Sequence, residues 1–333
     1  MLSRRILPTF SIAQDLITAN LKKLTYSDSL EKTDTLGIVL ADNEHKLLQS
    51  AIPIKGSEIS VTLQKTETNE IFNVGSFTLD EISYRSPPSE LTLKLNSLPL
   101  SSKRGIVKNR SWEEVTLQEV AQDISGECGL SLFYIASTNP DVKRLEQNEP
   151  DLSFLKRICS NYGLGVKVHN KQLIIFDEGE LEKTPPVQVI SYGDKRLLRF
   201  DGKTTATAIY SGADVSYKGN NVKEWLWGLF GANDFFKNTF GGGGGNDNLN
   251  INELVDSEGD AERLAKAKLR ESNKDGDTLN LTLTGDFNLV AGVTIQLVEF
   301  GFLDGKYLIK KADHNLDSGG YTVQINCKKA LNF

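Results

Sequence analysis

The chain has 333 residues, enough for about two domains with room for a small third at ~150 residues each. Hydrophobic residues make up 39%, charged residues 25% and aromatics 8%, which excludes a globally disordered, collagen-like or membrane-spanning chain. With 38 Lys and Arg against 44 Asp and Glu, the net charge of -6 has the wrong sign for gripping phosphates, so no nucleic-acid binding is expected.

Residues 1–102 read as a first β domain. Apolar residues alternate in twos at Ile59-x-Val61-x-Leu63, Phe77-x-Leu79, Ile82-x-Tyr84 and Leu91-x-Leu93-x-Leu95, with Gly56, Gly75 and Pro87-Pro88 as turns. Several short strands with one buried face predict a small barrel or sandwich, since closure removes exposed edges. The apolar run after Arg4 and Arg5 is cut at Pro8, too short for an export signal.

Residues 103–182 change to helix-then-strand units. Thr116 opens a T-x-x-E capping box with Glu119, and Leu117, Val120 and Ile124 form an apolar stripe that stops at Gly129 before Leu130-x-Leu132-x-Tyr134. Asp151, after Pro150, is the expected cap of a second helix carrying Leu152, Leu155 and Ile158; Gly163 ends it before Leu164-x-Val166-x-Val168. A turn at Asn170-Lys171 returns through Leu173-x-Ile175. The two units overlay at an offset of 34 residues, Gly129 on Gly163 and Leu132 on Val166. The acid pair Glu113-Glu114 reads as the first turn of a helix, where negative charge is favoured.

Residues 183–333 read as a second β domain after Thr184-Pro185-Pro186, with an aromatic and Gly-rich loop over 224–250 and a helix over 260–272 inserted. A long-range repeat links the two β domains. At an offset of 230, Gly75, Phe77, Leu79, Ile82, Tyr84, Leu91, Leu93 and Leu95 fall on Gly305, Tyr307, Ile309, Ala312, His314, Tyr321, Val323 and Ile325. At 236, Ile59 and Val61 fall on Ile295 and Leu297. The fold class is therefore mainly β with α+β modules: two related small β-barrels separated by paired small α/β modules.

Cys128, Cys159 and Cys327 and the three His lie far apart without ligand spacing, so no metal and no cofactor is expected and the thiols read as core or surface residues. No G-x-S-x-G occurs, and no catalytic residue is assigned. Cys159 and His169 would meet only through an accident of folding. The loop concentrates Trp225, Trp227, Phe230, Phe235 and Phe236. Aromatics at that density point to partner binding, against the alternative of a helix folded back on the second barrel; without a basic cluster they do not point to stable membrane insertion. Gly241 to Gly245 reads as a flexible linker, since no G-K-[ST] follows.

In the order barrel, paired modules, barrel with inserted helix, the chain resembles late control protein D and the baseplate hub proteins of contractile phage tails, related to the N-terminal part of type VI secretion spike proteins. The resemblance rests on Ser111-Trp112-Glu113 leading to Thr116-Leu117-Gln118-Glu119-Val120-Ala121, on Asp151 to Arg157 with Gly163-Leu164, and on Ala261-Glu262 to Leu269 with Ala291-Gly292. It implies tail-tube-like barrels and a non-enzymatic homotrimer whose six barrels mimic a hexamer. It also implies contacts with a tail-tube or tube-initiator protein, a spike protein and other baseplate proteins. The location would be a virion or tail-like particle assembled in the bacterial host cytoplasm. The alternative is a tail-associated peptidoglycan hydrolase or glycan-binding module built on residues 103–182.

Overall fold

A computed structural model describes residues 6–49, 53–99, 105–204, 212–218, 235–241, 248–255, 258–273 and 276–330. The first part holds β1 (Ile6–Phe10), α1 (Gln14–Asn20), β2 (Leu21–Ser29), β3 (Thr35–Ala41), α2 (Lys46–Gln49), β4 (Glu58–Lys65), β5 (Ile71–Arg85) and β6 (Glu90–Asn96). The middle part holds β7 (Lys108–Thr116), α3 (Leu117–Glu127), β8 (Ser131–Tyr134), β9 (Asp141–Glu149), α4 (Asp151–Asn161), β10 (Leu164–His169) and β11 (Gln172–Asp177). Then come α5 (Glu178–Lys183), β12 (Gln188–Ser191), β13 (Leu197–Thr204), β14 (Gly212–Lys218), β15 (Phe235–Gly241), β16 (Asn248–Val255) and α6 (Glu258–Asn273). The last strands are β17 (Asp277–Thr284), β18 (Thr294–Val298), β19 (Gly305–Asp317) and β20 (Gly320–Lys329).

Alternation makes the strands what they are. In β4 the side chains of Ile59, Val61 and Leu63 are fully buried while Ser60, Thr62 and Gln64 between them are not, and β3 repeats this with Leu36, Ile38 and Leu40. Each such Leu or Ile contributes roughly 1.5–3 kcal/mol of burial. The first six strands pair in the order β1-β4-β5-β6-β3-β2 and the second six in the order β12-β18-β19-β20-β17-β13, so the two ends of the chain share one topology. The irregularities coincide as well. The register slips between Leu79 and Glu81 in β5 and between Ile309 and Lys311 in β19; it slips between Leu21 and Lys23 in β2 and between Leu197 and Arg199 in β13.

The structure corrects the repeat in one place. Tyr84 faces Leu91, whereas His314 faces Val323, so Leu91, Leu93 and Leu95 correspond to Val323, Ile325 and Cys327, two residues beyond the offset expected from sequence. A slip of two leaves every side chain on its own face, and so the apolar pattern does not distinguish the two registers. The copies also differ at their first strand: β1 runs antiparallel to β4, β12 parallel to β18.

The expected barrels are not closed by hydrogen bonds. Among the described residues β1 does not pair with β2, nor β12 with β13; α1 packs its buried Ile17 into the first core instead. β2 pairs antiparallel with the far half of β19, Leu24 opposite Leu316 through Ser29 opposite Lys311, which fuses both units into one 12-stranded sheet. Under that seam His314 stacks between Tyr26 (5.6 Å) and Tyr321 (6.0 Å), with Phe72 and Phe287 alongside.

In the middle part Thr116 and Glu119 form the expected reciprocal capping box of α3. Gly129 and Gly163 both take a positive φ, 69° and 71°, after their helices, and Asn170 and Lys171 take positive φ in the tight turn between β10 and β11. Asp151 does not cap α4. Its carboxylate accepts from Lys108, Arg110 and Gln147, and Pro150 occupies the N-cap position. Glu113 and Glu114 sit in β7 rather than at a helix start, with Glu114 at φ 52°. β7 pairs with β9, and Trp112 from that ribbon stacks on Phe154 of α4 at 5.1 Å beneath the Arg110 guanidinium.

In the insertion, the described residues of the segment expected as a loop form strands. β14 pairs with β15 and β16, and α6 covers them through Ala261, Leu264, Ala265 and Leu269. Gly241 closes β15.

Candidate assembly surfaces

With the apolar parity of each strand turned inward, the other parity forms an outer face that crosses the seam without a break. On it lie Ser27, Thr25, Asn315, Asp313, Gln324, Thr282, Asn280 and Asp201, in register from strand to strand. Thr25 Oγ1 donates to Asn315 Oδ1 across the seam at 3.0 Å, Asn326 Nδ2 to Asn280 Oδ1 at 2.7 Å, and Lys94 Nζ to Glu81 Oε1 at 3.0 Å. Short amide, hydroxyl and mixed-charge side chains make this a hydrated wall with no apolar patch to capture a passing chain.

The sheet has unpaired edges. Among the described residues β13 pairs with β17 alone, and β5 beyond Leu79 pairs with β6 alone. Around β13 the surface is apolar: Tyr192 is 62% exposed, Phe200 41% and Phe302 72%, with Tyr192, Phe200 and Phe300 in mutual edge-to-face contact at 5.3–6.0 Å. An apolar rim on a bare strand edge is what a subunit contact needs and what an isolated protein avoids.

The three parts of the chain meet at a polar knot. Asp28 accepts from Lys167 and, through its other oxygen, from the backbone N–H of Ala291 at 2.9 Å; Asp34 accepts from His169 at 2.7 Å and from Tyr26 at 3.3 Å. β2, β10 and the segment before β18 are thereby tied together. Burial pushes the Asp28 carboxyl up, against the pull of Lys167, and burial pushes the Tyr26 phenol up as well. A crevice of about 330 Å³ opens beside it, walled by Leu30, Phe72, Ile174, Phe176 and Val293. A second knot anchors the insertion: Lys328, 2% exposed, lies 2.9 Å from Glu178 and Glu182, and Arg270 of α6 reaches Glu182 at 3.4 Å. A side chain at Gly179 would collide with that guanidinium, 2.7 Å from an added Cβ.

These knots hold parts together, and the chemistry weighed from sequence does not assemble around them. Cys159 is fully buried in α4, its thiol pushed up to about 12 by burial, while His169 turns to Asp34. Among the described residues no group of three or more His, Cys, Asp or Glu is placed to hold a metal ion, and no helix is long and apolar enough to cross a membrane. Of the candidate partner residues, Trp225, Trp227 and Phe230 lie outside the described residues, and Phe235 and Phe236 open β15 opposite Lys218 and Tyr217. Sequence reasoning missed Asp28, Asp34 and His314. The signal was there: Asp28 follows Leu24 and Tyr26 on the inward parity of β2, and Asp34 precedes Leu36 and Ile38 on that of β3.

A family model described as YQBQ-like matches residues 249–328. Over 174 residues the chain is 27% identical to the probable baseplate hub protein of Escherichia phage 186, a match spanning 49% of this chain and 43% of that relative. The chain resembles phage baseplate hub proteins. That match spans less than half the relative's own length, so what the whole relative does is not carried over by it. The fold is that of tail proteins. A 43 kDa tail protein of prophage MuSo2 from Shewanella oneidensis superposes with a TM-score of 0.70 at 14% identity, covering 98% of this chain and 99% of that one. An Escherichia coli type VI secretion component, described as structurally similar to T4 bacteriophage tail proteins, superposes with a TM-score of 0.59 at 10% identity over 94% of this chain and 74% of its own.

Proposed function

We propose that the chain is a structural baseplate hub of a contractile tail or tail-like particle, working as a homotrimer between the tail tube and the central spike. The observation that carries this reading is the strand order repeated within one chain, β1-β4-β5-β6-β3-β2 and β12-β18-β19-β20-β17-β13. Three such chains present six related units around one axis, which matches a six-fold ring on one side while leaving three-fold symmetry for a partner on the other. The role is mechanical rather than catalytic: packed β units transmit thrust, and burial of the apolar β13 rim between subunits supplies the cohesion of an obligate interface. The partners in this reading are a tube or tube-initiator protein, the spike and neighbouring baseplate proteins, in a virion or tail-like particle assembled in the host cytoplasm. Trp225, Trp227, Phe230, Phe235 and Phe236 are read as anchors for a neighbouring tail protein. Replacing Trp225 and Trp227 by Ala is expected to spare self-association and weaken that docking; unchanged docking would remove the anchor role.

Light scattering on the purified chain tests the central claim. For a 36.8 kDa chain the expected mass is about 110 kDa. A monomer or dimer that persists at tens of micromolar overturns it.

A further inference from the structure

We propose that neighbouring copies join by strand addition, the free edge of β13 in one copy pairing antiparallel with residues 82–85 at the end of β5 in the next. The inference rests on the trimer reading and adds the joint and its register.

The chain already contains one example of this joint. β2 pairs with residues 311–316 of β19, and among the described residues both strands have counterparts without such a partner. β13 is the counterpart of β2: it holds the same last place in its unit, and its bulge between Leu197 and Arg199 matches that between Leu21 and Lys23. Residues 81–86 are the counterpart of 311–316: each stretch follows the matching bulge, after Leu79 or after Ile309. Among the described residues that stretch is paired on both sides in β19, whereas in β5 residues 81–85 are paired with β6 only. The internal joint thus uses one of each pair and leaves the other at the far end of the molecule. Such a contact is head-to-tail, and its repetition from copy to copy generates a ring when the rotation between copies closes, as it does in the trimer reading. A second copy of the chain is the occupant the geometry selects, since it carries the complementary edge by construction.

The register follows from the bulges. Where Thr25 faces Asn315 inside the chain, Asp201 faces Arg85 of the next copy, an opposite-charge pair in place of a hydrogen-bonded one. Where Ser27 faces Asp313, Lys203 faces Ser83, with Glu81 on the diagonal. Where Tyr26 faces His314, Gly202 faces Tyr84; Gly202 has no room for a side chain of its own, since an added Cβ would lie 2.5 Å from Leu303. Lys203 and Asp201 are exposed, as are Glu81, Ser83 and Arg85. The same joint covers Tyr192, Phe200 and Phe302.

Paired cysteines in the full chain read the register directly. The native thiols are all buried, which leaves the introduced ones to report. The Ser83→Cys, Lys203→Cys double variant is expected to give, on mild oxidation, covalent two-chain and three-chain species. Neither single variant gives a two-chain or larger ladder, and neither does Ser83→Cys with Arg199→Cys, whose positions lie about 13 Å out of register. A trimer by mass whose Ser83/Lys203 pair does not cross-link overturns the joint and leaves the trimer standing. A monomer by mass overturns the trimer reading and the joint with it. Cross-linking equally strong in the out-of-register pair also overturns the joint.

Discussion

His314 is expected to stay neutral far below the pH at which an ordinary imidazole charges. It lies fully buried on the seam, stacked between Tyr26 and Tyr321, with Nδ1 2.7 Å from the Tyr321 hydroxyl. Burial drives its pKa down to about 4, and the nearby carboxylates of Asp28, Asp313 and Asp286 offset that only in part. Because the folded value lies below the unfolded one of about 6.5, the unfolded chain takes up a proton that the folded chain refuses. The contribution is fully present above the unfolded value, falls as the pH drops through 6.5, and levels off below the folded value. From pH 7 to pH 5 linkage amounts to a loss of about 2 kcal/mol. The assay is imidazole NMR on the chain, which has only three histidines to resolve, combined with urea unfolding at pH 7 and pH 5. One resonance is expected to titrate near pH 4 and to vanish in His314→Phe, whose midpoint changes less between the two pH values than that of the parent. An imidazole midpoint at 6 or above, or an unchanged pH response in the variant, would refute the reasoning.

Three further outcomes follow from the packing. Lys167→Met leaves Asp28 and Asp34 without their shared cation and is expected to cost about 3–5 kcal/mol near neutral pH in urea unfolding, recovering in acid because the raised Asp28 carboxyl takes a proton; a loss under 1 kcal/mol would show that the knot is dispensable. Gly285→Ala would place a Cβ 1.8 Å from the Tyr321 ring, so thermal melting should fall by an amount equivalent to about 1–3 kcal/mol, and the His314 resonance should shift as the ring is displaced. Thr116→Ala removes the hydroxyl that caps α3 and is expected to cost about 1 kcal/mol, read as faster amide exchange across residues 117–121, whereas Asp151→Ala should leave the first turn of α4 protected because that residue caps nothing.

Periodicity made the β character, the two helices of the middle part and the kinship of the chain's ends legible, because each depends on which face a residue occupies. Gly129, Gly163 and the Asn170-Lys171 turn were equally legible, since positive φ narrows the choice of residue there. Register was not. The two-residue shift of β20 against β6 conserves parity and changes only which residues oppose one another, as did the choice between antiparallel β1 and parallel β12. β9 was missed because Asp141–Glu149 buries only Val142 and Gln147, so the strand lacks an apolar alternation to read. Glu113-Glu114 was misread because two adjacent acids suit a helix start as well as the two faces of a strand.

The inward-pointing polar residues Asp28, Asp34 and His314 break the pattern, and all three lie where separate parts of the chain meet. A barrel that stood alone would bury Leu or Val at those positions. Asp28 instead receives Lys167 from the middle part and the Ala291 N–H from the second β unit, and His314 bridges Tyr26 of the first unit to Tyr321 of the second. Directional groups at a junction fix one relative placement where an apolar contact would tolerate several. For a protein read as a thrust-bearing ring element, a fixed angle between its two β units is the property that lets three copies close. Among the described residues the free edge at β13 carries no such buried polar pair; it carries Arg199, Asp201 and Lys203 at the surface and an apolar rim. The internal seam is thus built for permanence, whereas in the proposed ring the outer edge meets its partner after folding.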